Sequence, residues 1–230
     1  MAMHLLQEGP PVEVVLRRSA RARRISLRVS ALDGRVTLTL PKGVAEREAM
    51  AFARSKEDWI RGHLQARLEN IEIVHGAEVP LGGQSLLVVP GAGRRVVVGD
   101  QTIAVPGAPE QVGARLQAHL KGLARTRLAA ASDLYAERLG RPYQRISIRD
   151  TRSRWGSCST RGTLMYSWRL VLMPQAVLDY VAAHEVAHLE QMNHSQAFWD
   201  TVTRIHGPYD VARNWLRRHG SDYHRYRFGD

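Results

Sequence analysis

The sequence predicts an α+β chain: a β-rich N-terminal part, then a second half ordered helix, strands, helix, helix. Three observations carry that expectation. Apolar and polar residues alternate with period two in the first forty residues. A helical stretch rich in Ala, Leu and Arg runs from Gln111 to Leu139. Beyond it, short β-patterned segments are followed by amphipathic helical ones.

VEVVL, RISLRV and RVTLTL read as strands, with ALDG between the last two as hairpin chemistry. The arginine-rich SARARR before Ile25 reads as a solvated hairpin connection. From Val44 to Leu68 the pattern turns helical, with Ala45, Ala49, Phe52, Trp59, Ile60 and Leu64 near one face. A second β region spans Glu78 to Val105, cut by Gly82-Gly83, Pro90-Gly91 and Gly99-Asp100 as tight turns. Pro106-Gly107 and Pro109 then break the chain. They suggest a boundary between a β-rich region, 1–107, and a second domain, 108–230. Gly140 stops the long helix, and RISIRD with RWGSCSTRGTLMYSWRLV reads as strands joined by a Thr-Arg-Gly turn. Pro174 suits the first turn of a helix through DYVAAHEVAHLE, and Ser195 suits the cap of SQAFWDTVTRI. No internal repeat is evident.

Composition narrows the classes. The chain of 230 residues is 44% hydrophobic and 24% charged, as in soluble globular proteins, with no long apolar run and no signal-like N-terminus. A cytoplasmic protein with no membrane partner is expected. The single cysteine, Cys158, excludes an intrachain disulfide. The formal charge is +11. Residues 1–110 hold 15 Lys/Arg against 12 Asp/Glu, and residues 111–230 hold 18 against 10, so most of the excess lies in the second half. Such a field favours DNA or another polyanion without naming one.

The chemistry concentrates in AHEVAHLEQMNHSQAFW. His184 and His188 lie four apart, one helical turn, so both rings project from one face and can reach one metal ion. Glu185 lies about 100° round the same turn and can act as a base beside the metal. Chance alone would place an H-E-x-x-H in about two of a hundred such chains. A third histidine, His194, follows six residues on. Three imidazoles with an open fourth position match catalytic zinc, one ion, which lowers the pKa of water towards about 7. In the extended pattern a glycine turns the chain before the third histidine; here that position is Gln191, and Asn193 is the residue suited to the bend. Cys158 reads as packing rather than as a nucleophile. DYHRYRF near the C-terminus fits either docking against the core or stacking on bases.

These motifs together resemble the YgjP-like zinc metallohydrolases of the minigluzincin kind, related to the SprT and WLM peptidases. The carrying residues are Arg154-Trp155-Gly156-Ser157-Cys158-Ser159, Pro174, Leu178-Asp179-Tyr180-Val181, His184-Glu185-Val186-Ala187-His188, Asn193-His194-Ser195 and Phe198-Trp199. The resemblance implies a zincin-like catalytic domain, zinc held by His184, His188 and His194, and Glu185 as catalytic base. It also implies a strand after RWGSCS as one wall of the cleft, here Leu164 to Trp168, where an extended polypeptide could add as a strand. Tyr166, Arg154 and Arg169 are candidates for binding the substrate and its developing oxyanion. The expected reaction is peptide hydrolysis. Two alternatives stand beside it: phosphoanhydride hydrolysis of a nucleotide, and a basic nucleic-acid-associated protein with a protease acting on DNA-bound proteins.

Overall fold

The computed structural model describes residues 3–6, 10–30, 33–65 and 68–229, and within them the fold is α+β. Ala31 and Leu32 of the expected ALDG turn, and Ala66 and Arg67 of the first helical stretch, lie outside the described residues. The chain separates into two compact units, Met1–Glu69 and Asn70–Asp230.

In the first unit, β1 (Met3–Leu6), β2 (Val12–Arg18), β3 (Ser26–Val29) and β4 (Val36–Leu40) form one sheet in the order β1-β2-β4-β3. Strand β2 runs parallel to β4, with Leu16 opposite Leu38, whereas β1 and β3 pair antiparallel to their neighbours. The SARARR segment is therefore no hairpin connection, since β4 lies between the strands it joins. Its arginines are exposed, as a solvated segment requires. Alternation buries Val14, Leu16, Val36, Leu38 and Leu40 on one face, where Ala49, Met50, Ala53 and Ile60 complete a core. The expected helix is two, α1 (Glu46–Arg54) and α2 (Glu57–Gln65), with the break at Ser55-Lys56. Glu57, 5% exposed, is held by Arg61 one turn later.

The second unit opens with β5 (Ile71–Glu72) and a sheet of β6 (Glu78–Leu81), β7 (Gln84–Pro90), β8 (Val97–Val98) and β9 (Thr102–Val105), ordered β6-β7-β9-β8. Here too the outer pairs are antiparallel and the central pair, β7 with β9, is parallel. The same strand order and sense thus occur twice, followed each time by a proline and helix. This repeat is not legible in the sequence, because the two segments share topology and little more than alternation and breakers. Pro106-Gly107 lies inside the unit, not between domains: Val79, Leu86, Val88 and Ile103 of this sheet share one core with Leu116, Leu120 and Leu128 of the following helix.

That helix, α3 (Val112–Leu139), ends where Gly140 takes φ 71°, a left-handed conformation that lets its N–H reach the carbonyls of Ala136 and Glu137. Strands β10 (Arg145–Arg149), β11 (Gly156–Cys158) and β12 (Thr163–Ser167) form a third sheet, ordered β10-β12-β11. Helices α4 (Gln175–Ala187), α5 (Gln196–His206) and α6 (Asp210–His219) follow. Pro174 sits one residue before the first turn, at the cap of α4. The C-terminal segment docks: β13 (Tyr226–Arg227) pairs parallel with β5, and Phe228, 1% exposed, meets Trp168 edge-on at 5.1 Å. No helix among the described residues is long and apolar enough to cross a membrane.

Candidate metal centre

Helix α4 packs along α3 with Val177, Leu178, Val181 and Ala182 buried, and its other side faces a cleft of about 460 Å³. Ser153, Arg154, Gly156, Ser157, Cys158, His184, Glu185, His188, Met192 and His194 line it. One helical turn sets the rings of His184 and His188 5.0 Å apart, and α4 ends directly afterwards, with His188 at its C-cap. The chain then turns through Leu189–Ser195 and returns His194 to the cluster. Every described non-glycine residue keeps a negative φ, so Asn193 makes no left-handed bend; its Oδ1 instead accepts the Ser195 N–H at 3.1 Å. Ser195 stands at the cap of α5, but its side chain makes no capping bond. Glu190 anchors the same segment to α5 by accepting from Thr201 at 3.2 Å and Arg204 at 2.9 Å.

The three histidines offer ring nitrogens that all lie within 4.8 Å of one another. Nε2 of His194 and Nε2 of His184 face each other at 3.1 Å. Two nitrogens 2.0–2.1 Å from a tetrahedral ion would stand roughly 3.3 Å apart, so the pair is already spaced for shared coordination. His188 donates from Nδ1 to the Gln191 carbonyl at 2.8 Å, which turns the lone pair of its other nitrogen towards the cluster. Beneath all three rings lies Phe198 of α5, fully buried, with ring centroids 4.5 to 4.9 Å away. It is an apolar floor that fixes ring orientation where hydrogen bonds do not: Nδ1 of His184 is buried without a partner among the described residues. Burial drives the pKa of His184 down to about 3, aided by its neighbours His188 and His194, and lowers His188 for the same first reason. Both rings are therefore neutral near pH 7, the form a metal requires. The donor set fits a borderline cation that prefers imidazole.

Glu185 is 5% exposed, and burial pushes its carboxyl up to about 8 against the opposing charge of Arg154. It rests on Gly156 of β11: a Cβ there would stand 2.5 Å from its Oε1 and 2.6 Å from its Cγ. The glycine of RWGSCS thus has a reason in the site. Any side chain would displace the carboxylate. Trp155 beside it is partly buried and stacks on His224 at 4.8 Å. Cys158 lines the cleft, yet burial and then the Glu185 charge push its thiol up to about 11, which disfavours a thiolate nucleophile.

Of the substrate-binding candidates, only Arg154 reaches the cleft. Tyr166 is wholly buried on β12, its hydroxyl bonded to Ser132 of α3 at 3.0 Å. Arg169 is 4% exposed and fully engaged: two bonds to Asp150, at 2.8 and 3.2 Å, and two to the carbonyls of Tyr223 and Tyr226. Burial alone would raise Asp150; the Arg169 fork holds it below the usual carboxylate range. Both residues are structural. The expected substrate strand, Leu164 to Trp168, is also displaced. Strand β12 is central, paired on both sides, and has no free edge, and Trp168 has left the strand for a 3-10 turn. The edge strand that borders the cleft is β11. There the Trp155 carbonyl accepts from Ser167, and the Ser159 N–H donates to Thr163. The alternating pattern therefore turns the N–H and C=O of Gly156 and Cys158 away from β12.

A second cleft, about 470 Å³, adjoins the other side of the His184–His194 pair and is lined by Tyr180, Trp199, Arg213, Leu216 and Arg217 besides those two. Of this further lining, Tyr180 and Trp199 fall in segments that carry the family resemblance, whereas nothing in the sequence marks Arg213, Leu216 or Arg217.

The family described as YgjP-like, metallopeptidase domain, matches residues 23–219. No curated protein matches. A solved structure, the metallopeptidase zymogen of Pyrococcus abyssi abylysin, is similar at 22% identity over 41% of this chain and 93% of that one, with a TM-score of 0.36. The family match spans most of the chain, from SARARR through H-E-x-x-H to α6: the chain belongs to the YgjP-like metallopeptidases.

Proposed function

We propose that this metallopeptidase hydrolyses peptide bonds with one Zn²⁺ held by His184, His188 and His194, and with Glu185 as general base. The observation that carries the reading is the pair of facing imidazole nitrogens 3.1 Å apart, beside a buried carboxylate in the same cleft. Zinc bound there would supply a Lewis acid for the scissile carbonyl and a lowered pKa for water. The chain's own residues do the rest. Gly156 and Cys158 offer backbone donors and acceptors on the free edge of β11, so an extended polypeptide can pair there as an added strand. Glu185, seated against Gly156, takes a proton from the attacking water and passes it to the leaving amine. Arg154 is the cation on the cleft wall able to favour the carboxylate form of Glu185 and developing negative charge.

The direct experiment is cleavage of a denatured polypeptide by zinc-loaded protein, with Glu185→Gln as control. Zinc stoichiometry should remain one per chain while cutting is lost; full activity in the variant would exclude Glu185 as base.

A second, separable role is supported by the first unit, where Arg17, Arg21, Arg23, Arg24 and Arg28 are all exposed within one strand-loop-strand segment. This surface suits a polyanion such as single-stranded DNA, to which bound proteins would be brought for cleavage. Binding should weaken steeply with salt, with a log–log slope of roughly −3 to −4 for five phosphate contacts. A flat response removes this role and leaves the peptidase untouched.

A further inference from the structure

We infer that the cleft between α4, α5 and α6 is an anion subsite that seats a carboxylate of the polypeptide beside the scissile bond, with Arg213 as its specificity-determining residue. The inference rests on the peptidase reading of the histidine centre. His184 and His194 form the partition between two clefts: Glu185 and the β11 edge lie on one side, Arg213 and Arg217 on the other. A substrate crossing the centre must therefore present one flank to the second cleft. No carboxylate lines that cleft, and two guanidinium groups do.

Arg213 is built into place. Its guanidinium lies 4.2 Å over the Trp199 ring, Trp199 stacks on Tyr209 at 5.2 Å, and Tyr209 stacks on Tyr180 at 6.0 Å. Stacking fixes the plane of the fork and leaves its N–H edges free. Elsewhere in this unit Arg169 is answered by Asp150, and Arg204 and Arg141 by Glu190. Arg213 makes no ion pair among the described residues, although the exposed Asp210 lies one turn away on the same helix. Its charge is felt at the Tyr180 hydroxyl, where it opposes the rise caused by burial. Arg217, one turn further along α6, adds a second cation at the rim. A preoriented, unpaired fork beside the centre matches the bidentate geometry of a carboxylate. Either an Asp or Glu side chain or a free C-terminus could supply it.

The test digests a peptide mixture with Asp, Glu, Asn or Gln at every position, with free or amidated C-termini, and maps cut sites by mass spectrometry. Wild type should favour an acid over its amide at one position beside the cut by about 10- to 100-fold. Arg213→Gln should bring that ratio close to one, whereas Arg218→Gln, on the same helix but outside the cleft, should retain it. Preference that vanishes on amidation assigns the carboxylate to the C-terminus; preference that survives assigns it to the side chain. Equal cutting of acid and amide, an unchanged ratio in Arg213→Gln, or equal losses in both variants overturns the subsite. Binding of labelled acidic and amide peptides to Glu185→Gln, read by fluorescence anisotropy, decides the matter without turnover. If the wild type cuts nothing but acidic peptides still bind through Arg213, the peptidase reading fails and the anion site stands.

Discussion

The sheets β1–β4 and β6–β9 have the same strand order and the same mixture of parallel and antiparallel pairs, yet the helical segments after them differ. After β4 the chain makes two nine-residue helices whose buried residues, Ala49, Met50, Ala53 and Ile60, close a small local core. After β9 it makes one helix of 28 residues, buried at Val112, Leu116, Leu120, Ala124 and Leu128, then at Ser132 and Tyr135. That near-fourfold spacing draws a stripe along the whole helix, which carries α4 on its surface and reaches Tyr166 through Ser132. The difference teaches that the sheet topology does not make a site. A long unbroken helix is what lets the second copy support the strand and helix that bring Glu185 against Gly156. Close approach shapes both ends of that support: a Cβ at Gly113 would stand 2.7 Å from the Phe228 carbonyl oxygen, so the docked C-terminal segment needs that glycine.

If the chemistry belongs to the second unit alone, the largest effects should come from the cleft. Glu185→Gln should lower turnover by about 10²- to 10⁴-fold with zinc content unchanged, as measured by atomic absorption beside peptide cleavage. Turnover within twofold of wild type would break the assignment. Gly156→Ala sharpens the contrast, because it alters no chemical group. Its methyl must push Glu185 aside, so turnover should fall by roughly 10²-fold while zinc still binds one per chain. Activity near wild type would show that β11 can yield.

Paired core truncations then compare the two units directly. Leu38→Ala and Leu120→Ala each remove a fully buried side chain, at a cost of about 2–5 kcal/mol. The first should lower the urea midpoint of the first unit and spare zinc affinity; the second should weaken both stability and zinc affinity. Equal loss of zinc affinity in the two variants would collapse the distinction. The smallest effect is a pH slope. His224 is 7% exposed against Trp155, and burial drives its pKa down to about 4, with Arg169, Arg152 and Arg227 adding and Asp150 opposing. Between about 6.5 and 4 the unfolded chain holds more of this proton than the folded one, so stability falls as pH falls through that window. His224→Gln should flatten the decline between pH 7 and 4.5 in urea melts; an identical decline would exclude this group.

Much of the molecule was legible because its signals are local. Alternation fixed the faces of β2 and β4, Gly140 marked the end of α3, and the i, i+4 spacing put His184 and His188 on one face. Candidates chosen by residue type alone fared worse. Tyr166 and Arg169 have the chemistry of substrate binders, but one is sealed in the core and the other is committed to Asp150 and two carbonyls. Residue type says what a side chain can do, and only its neighbours say whether it is free to do it.

By itself, then, the sequence determined the α+β pattern and the helix bearing H-E-x-x-H, with His184 and His188 on one face, since each follows from periodicity within one or two turns. Only the tertiary structure decided the boundary at Glu69-Asn70, the free edge of β11, the contact between Gly156 and Glu185, and the unpaired fork of Arg213 beside the centre. Those features depend on residues tens of positions apart being packed to within a few ångströms, and no local pattern of the chain records which distant surfaces will meet.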